Sequence, residues 1–192
     1  MGFGGFRYRG GVAIAEMNHQ DHVRLITKGI PAGTGGVWAD VGAGRGAFTL
    51  ALAELLSPGS TIHTIDQDDR ALKVNQQMVQ QRYPEIKVQP VPVDFTRPFS
   101  LPFLDGMVMA NALHFVRRKE PVVHALRDYL RPGGRFVIVE YDTRRGNWWV
   151  PFPLTFDDWV SLAETCGFKQ TTLLATRPSS FLGQFFSALS IK

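Results

Sequence analysis

The stretch Asp40-Val41-Gly42-Ala43-Gly44-Arg45-Gly46 sets three glycines at alternating positions between an apolar run, Val37 to Ala39, and a helix-forming run, Ala47 to Leu56. Glycines there let a ligand reach the backbone, and the helix that follows directs unpaired N–H groups at the same point. The turn reads as a cradle for a nucleotide or nucleoside, with Gly42, Ala43, Gly44 and Gly46 as contacts; a tight turn without a ligand is the alternative. Spacing separates the candidate ligands. A dinucleotide site takes Gly-x-Gly-x-x-Gly, whereas the third glycine here comes one residue early. Asp40 also places a carboxylate at the strand end, where it repels a pyrophosphate and attracts a cation.

In an open parallel sheet a ligand lies across the carboxyl ends of the strands. Asp66, with Gln67 beside it, closes the next apolar run (Thr61 to Ile65), at about the 20-residue distance where an acid meets a ribose. Asp66 can also serve only as a cap for the following helix, together with Asp68 and Asp69. Asp94-Phe95 follow Val91-Pro92-Val93, and Asp94 fits a turn cap equally well. Asn111-Ala112-Leu113-His114-Phe115 follow the run Gly106 to Ala110. His114 is the candidate catalytic base, because an imidazole exchanges its proton near neutral pH; a capping or packing role suits it as well.

The order acid-x-Gly-x-Gly-x-Gly, Asp66, Asp94, Asn111, Leu130-Arg131-Pro132-Gly133-Gly134 and then Arg135 to Tyr141 resembles the class I S-adenosylmethionine-dependent methyltransferases from about residue 37 to 141. The resemblance implies S-adenosylmethionine as cofactor and S-adenosylhomocysteine as product. It implies Asp40 and the glycine turn beside the cationic part, Asp66 on the ribose hydroxyls, Asp94 on the adenine amine, Phe95 against the ring and Asn111 beside the methionine portion. It further implies in-line methyl transfer to a small-molecule acceptor, driven by positioning worth effective molarities of ~10⁵ M or more, with no metal and no covalent intermediate. Leu-Arg-Pro-Gly-Gly and Val-Glu-Tyr also resemble quinone-type C-methyltransferases, but these pieces are shared across the superfamily and name no substrate.

Around these residues, helical and strand patterns alternate: helices near 19–29, 46–56, 68–82, 119–130 and 155–166, and strands near 37–41, 61–65, 86–93, 104–110, 135–141, 169–176 and 182–190. This predicts an α/β fold, doubly wound and Rossmann-like, with a mostly parallel seven-stranded sheet. The last two strands are too close for a crossover, so the final one runs antiparallel. With 192 residues and 44% hydrophobic content, the chain fits one domain, residues 17–192, which the resemblance makes a methyltransferase domain. The glycine-rich residues 1–16 read as a flexible leader, and Met17 can serve as a natural start.

No apolar run approaches the ~18 residues of a membrane span, and no cleavable signal is evident, so a cytoplasmic location is expected. The single cysteine, Cys166, reads as a buried structural thiol. A net charge of +4 with scattered Lys and Arg disfavours nucleic acid. The acceptor must be met outside the cofactor half. Candidates are His19 and His22, which share a helix face, then Tyr141, Arg144, Trp148 and Trp149. The aromatics with Phe152 and Phe156 can wall a pocket for an apolar or planar molecule or simply cover the sheet edge, and no third ligand joins the two histidines as a metal site. Three other readings stay open: a nicotinamide-dependent oxidoreductase on a related fold, a nucleic-acid methyltransferase or binding module, and a fold retained without turnover. The second lacks an Asn-Pro-Pro-aromatic sequence after the fourth strand.

Overall fold

The computed structural model describes residues 17–192, so the expected leader lies outside the described residues. The elements run α1 (His19–Ile26), β1 (Val37–Val41), α2 (Ala47–Leu55), β2 (Thr61–Asp66), α3 (Asp69–Arg82), β3 (Lys87–Pro92), β4 (Leu104–Ala110), α4 (Lys119–Asp128), β5 (Leu130–Tyr141), α5 (Phe156–Thr165), β6 (Gln170–Ser179) and β7 (Gly183–Ile191). The seven strands form one sheet in the order β3-β2-β1-β4-β5-β7-β6. β1 to β5 pair in parallel, and β7 runs antiparallel to both neighbours. This is the predicted doubly wound architecture, with the chain reversing direction about β1 and β4.

Alternation along the central strands sorts side chains into two cores. Ala39, Val41, Met107, Met109, Phe136 and Ile138 pack with α4 and α5, while Trp38, Ile62, Val108, Val137 and Val139 pack with α1, α2 and α3. Two carboxylates follow the same alternation into the interior. Asp40 shares the face of Trp38 and points toward α2, and Glu140 shares the face of Phe136 and Ile138; both are buried. Cys166 is buried too, its thiol directed at the Glu120 carbonyl.

The differences from expectation are local. The first helix stops at Ile26 and tightens into a single 3₁₀ turn, Thr27–Gly29, in which Gly29 lies so close to Val137 and Leu174 that no side chain would fit. Pairing with β4 begins at Leu130 rather than near Arg135. The register then jumps from Leu104↔Leu130 to Gly106↔Arg135, so Arg131-Pro132-Gly133-Gly134 bulges out of the ladder. Both edge strands carry proline, as edges permit. In β3 the Lys87 N–H donates to Ser60 O, which makes the odd positions the inward donors and turns the nitrogens of Pro90 and Pro92 outward.

Candidate functional site

Immediately beyond β1 the glycine turn is clamped onto the end of β2. The Gly42 and Ala43 N–H groups both donate to Ile65 O, at 2.8 and 2.9 Å, and the Gly44 N–H donates to Asp66 Oδ2 at 2.9 Å. Asp66 Oδ1 accepts the Asp68 N–H, so the carboxylate is fixed at both oxygens with lone pairs to spare. Gly42 has φ of 74° and lies so near the loop after β4 that a Cβ would sit 2.4 Å from Ala112 Cβ. Gly46, at φ 96°, begins α2 without a side-chain cap, which leaves the helix's first N–H groups open toward the turn.

Two cavities meet at this turn. The first, of about 350 Å³, is lined by Gly42, Asp66, Gln67, Val93, Asp94 and Phe95, and on the β4 side by Asn111, Ala112, Phe115 and Val116. The second, of about 270 Å³, is lined by His22, Asp40, Ala43, Arg45, Phe48 and Ala110 among others, and shares Gly42 and Asn111 with the first. The walls Val93, Phe95, Ala112 and Val116 belong to the α4/α5 core, whereas Phe48 and Ala110 belong to the α1/α2 core. A ligand reaching from one cavity to the other must therefore pass over Gly42 and Asn111. Asn111 is the one non-glycine residue with positive φ (52°) among the described residues, and its Oδ1 is buried without a hydrogen-bond partner. The junction of the two cavities thus combines a left-handed backbone angle with an acceptor that no group among the described residues satisfies.

Electrostatics differ between the two cavities. In the first, Asp94 accepts from the Thr96 N–H and Oγ1 at 2.9 and 2.7 Å, and these bonds, chiefly the hydroxyl's, hold its carboxyl below the ordinary range. In the second, Asp40 accepts from Thr49 Oγ1 at 2.5 Å, and Thr49 accepts from Asn75 Nδ2 at 2.8 Å. Burial pushes the Asp40 carboxyl up to about 7, with the Thr49 bond opposing and the charge of Asp66 adding. An unfolded Asp40 titrates near 3.8, so between these values the folded form alone keeps the proton. Stability is then lost as pH rises from about 4 through about 7, by on the order of 4 kcal/mol, and is level above that. Thermal melts of the wild type and Asp40→Asn across this range should converge at low pH and diverge toward neutrality, the variant melting higher; parallel curves would contradict the assignment.

The remaining predicted site residues are dispersed. His22 lines the second cavity, its ring edge-on to Phe48 at 4.8 Å, and burial, followed by the charge of His19, lowers its pKa. His19 is occupied elsewhere, its Nε2 lying 2.6 Å from Glu54 Oε2. Tyr141 packs on Phe185 at 4.3 Å. Arg144 is engaged by Asp158, with Nη2 3.0 Å from Oδ1, and borders a separate hollow beside β6 and β7. Trp148 and Trp149 face solvent.

His114 is buried and lines neither cavity. Its Nδ1 lies 2.7 Å from Glu140 Oε2, and the other oxygen of Glu140 accepts the Leu113 and His114 N–H groups at 2.8 and 3.2 Å. Glu140 thus ties the loop carrying Asn111, Ala112, Phe115 and Val116 to β5. Sequence reasoning saw Glu140 only as part of Val-Glu-Tyr; a carboxylate at a core-facing position of a central strand was the available signal.

Comparison with known proteins agrees with this geometry. Relatives include two ubiquinone/menaquinone biosynthesis C-methyltransferases named UbiE. That of Azotobacter vinelandii is 29% identical over 103 residues, 53% of this chain and 41% of the relative. That of Ectopseudomonas mendocina is 28% identical over 109 residues, 56% of this chain and 42% of the relative. The match therefore spans less than half the length of these curated relatives. Among solved structures, the YcgJ protein of Bacillus subtilis superposes with a TM-score of 0.71 at 13% identity over 91% of this chain and 99% of that one. A 1,6-didemethyltoxoflavin-N1-methyltransferase of Burkholderia thailandensis, holding 1,6-didemethyltoxoflavin and S-adenosylhomocysteine, superposes with a TM-score of 0.69 at 18% identity over 91% and 77%. The family described as "Methyltransferase domain" matches residues 39–136, half of the chain, running from the strand before the glycine turn into β5: the chain belongs to that methyltransferase domain family.

Proposed function

We propose that this chain is an S-adenosylmethionine-dependent methyltransferase acting on a small-molecule acceptor. The observation that carries the reading is the pair of cavities joined over Gly42 and Asn111, with carboxylates at the ends of three adjacent strands: Asp40, Asp66 and Asp94. The first cavity suits an adenosyl group, with Asp66 for the ribose hydroxyls, Asp94 for the adenine amine and Phe95 for the ring. The second suits a charged amino acid portion, with Asp40 and the orphaned Asn111 Oδ1 for the ammonium and exposed Arg45 for the carboxylate. When bound, this cofactor supplies a methyl group already activated on a sulfonium. The protein's part is then to hold the acceptor in line and exclude water, contributions that positioning alone makes large.

Among the titratable groups, His22 faces the second cavity, and its lowered pKa favours a neutral ring able to accept a proton or hydrogen bond from an acceptor. Burial and the bond to Glu140 support a positioning role for His114 rather than proton transfer. The C-methyltransferase names of the two curated relatives favour carbon as the accepting atom.

Calorimetric titration with S-adenosylhomocysteine tests the assignment. Saturable binding is expected, and Gly42→Ala should weaken it at least tenfold, because the added methyl clashes with Ala112 at a left-handed backbone angle. Absence of binding at ~1 mM ligand overturns the reading, and tight binding of a reduced nicotinamide in its place would restore the oxidoreductase alternative.

A further inference from the structure

The aromatic segment between β5 and α5 projects into solvent, where Trp148 borders a wide-open hollow with Gly146, Asn147 and Pro151. Trp148 is 89% exposed and Trp149 64%. The segment is nonetheless well held. Asn147 Oδ1 accepts the N–H groups of Trp149 and Val150 at 2.8 and 2.9 Å, the Asn147 N–H donates to Val150 O at 3.0 Å, and Val150 is buried. Two adjacent indoles presented outward by a closed turn are an exposed apolar patch that calls for a partner.

The patch runs on to the cleft. The Phe152 N–H donates to His114 O at 2.9 Å, and Lys119 Nζ joins Phe152 O at 2.6 Å to Val116 O at 2.8 Å. These bonds join the segment of Phe152, 37% exposed, to the turn that carries Phe115, which is 60% exposed and walls the first cavity. Arg117 and Arg118, just before Lys119, and Arg145, three residues before Trp148, are all exposed. Among the described residues none of these three has a carboxylate within ion-pair distance, whereas Arg144 is neutralised by Asp158.

We propose that this surface docks the protein reversibly on an anionic lipid membrane, with the indoles at headgroup depth and the three guanidinium groups against lipid phosphates. Indole is the side chain best suited to the boundary between water and hydrocarbon, and unpaired cations on the same and the adjoining segment complement an anionic leaflet. A nucleic acid would satisfy the cations, but a track for its backbone needs a groove lined by them, and here three cations alternate along the chain with four exposed aromatics on the two joined segments 115–118 and 145–152. Among the described residues no helix is long and apolar enough to cross a membrane, so the contact is with the surface. Because Phe115 belongs to both patch and cleft, docking turns the cleft mouth toward the bilayer, where an apolar acceptor would enter without crossing water. That last consequence rests on the methyltransferase reading; the docking itself does not.

Intrinsic fluorescence tests the proposal directly. Of the four tryptophans, Trp38 and Trp159 are fully buried, so a change on adding lipid reports on Trp148 and Trp149. The whole chain titrated with phosphatidylglycerol-containing vesicles should shift its emission to shorter wavelength and co-sediment, more strongly than with phosphatidylcholine alone. W148A/W149A should lose the shift and weaken partitioning at least tenfold. Replacing Arg117, Arg118 and Arg145 with Gln should weaken binding to the anionic vesicles by about fivefold per cation while leaving neutral vesicles unaffected. Parallel titration with S-adenosylhomocysteine keeps the two readings apart, since lipid binding without cofactor binding supports docking while removing the methyltransferase assignment. No shift and no sedimentation with anionic vesicles overturns docking. So does retention on single-stranded RNA, or self-association that buries the indoles, without lipid binding.

Discussion

Asp66→Ala should lower affinity for S-adenosylhomocysteine by roughly a hundredfold. The carboxylate lines the first cavity at the end of β2 and is oriented by the Gly44 and Asp68 N–H groups. Hydrogen bonds to a charged partner contribute about 1.5–3 kcal/mol each. Losing the bidentate grip proposed for two ribose hydroxyls, together with the clamp on Gly44, accounts for an effect of that order. Asp66→Asn separates the two contributions, because it keeps an acceptor for one backbone N–H while giving up the charge, so an intermediate loss is expected. Calorimetry measures the affinities, and a thermal melt of each variant shows whether the fold has moved. An Ala variant that binds as tightly as wild type would remove Asp66 from the cofactor site.

The second large effect falls on stability. Glu140 is fully buried and serves three groups: the His114 ring and the N–H groups of Leu113 and His114. Glu140→Ala strands them all in the core. Leaving a buried donor without its acceptor costs about 1–3 kcal/mol, so stranding three costs at least ~3 kcal/mol, which for a chain of this size corresponds to a fall in melting temperature on the order of 10 °C. Glu140→Gln preserves the shape and one acceptor, so it should lose markedly less. Because the tethered loop carries Ala112, Phe115 and Val116 on the cavity wall, cofactor affinity should fall in the same order. A Glu140→Ala protein that melts with the wild type would show that the loop is held by other means.

The elements were legible because their apolar periodicity is strong and their ends carry local signals. Asp68 caps α3, and Thr155 with Asp158 forms a capping box on α5. The acids of the rim could be ordered in advance, since each follows an apolar strand run. What lay hidden depends on distant contacts. His19 is drawn to Glu54, 35 residues away, and nothing beside it in the chain announces that pairing. The role of Glu140 appears only when β5 lies next to the loop after β4. Ala112, Phe115 and Val116 look like ordinary core residues until the turn at Gly42 leaves space beside them. Trp148 and Trp149 read the same whether they lie under cover or in solvent, and the Asn147 turn presents both outward.

The prolines of β3 bear on how the molecule behaves in a crowded solution. A stray strand adding to this border would need a row of amide donors, and at Pro90 and Pro92 it finds pyrrolidine rings directed outward from the ladder. The sheet therefore ends where β3 ends. Fibril-like stacking and strand exchange between copies are blocked on that side by two residues with no amide hydrogen to give.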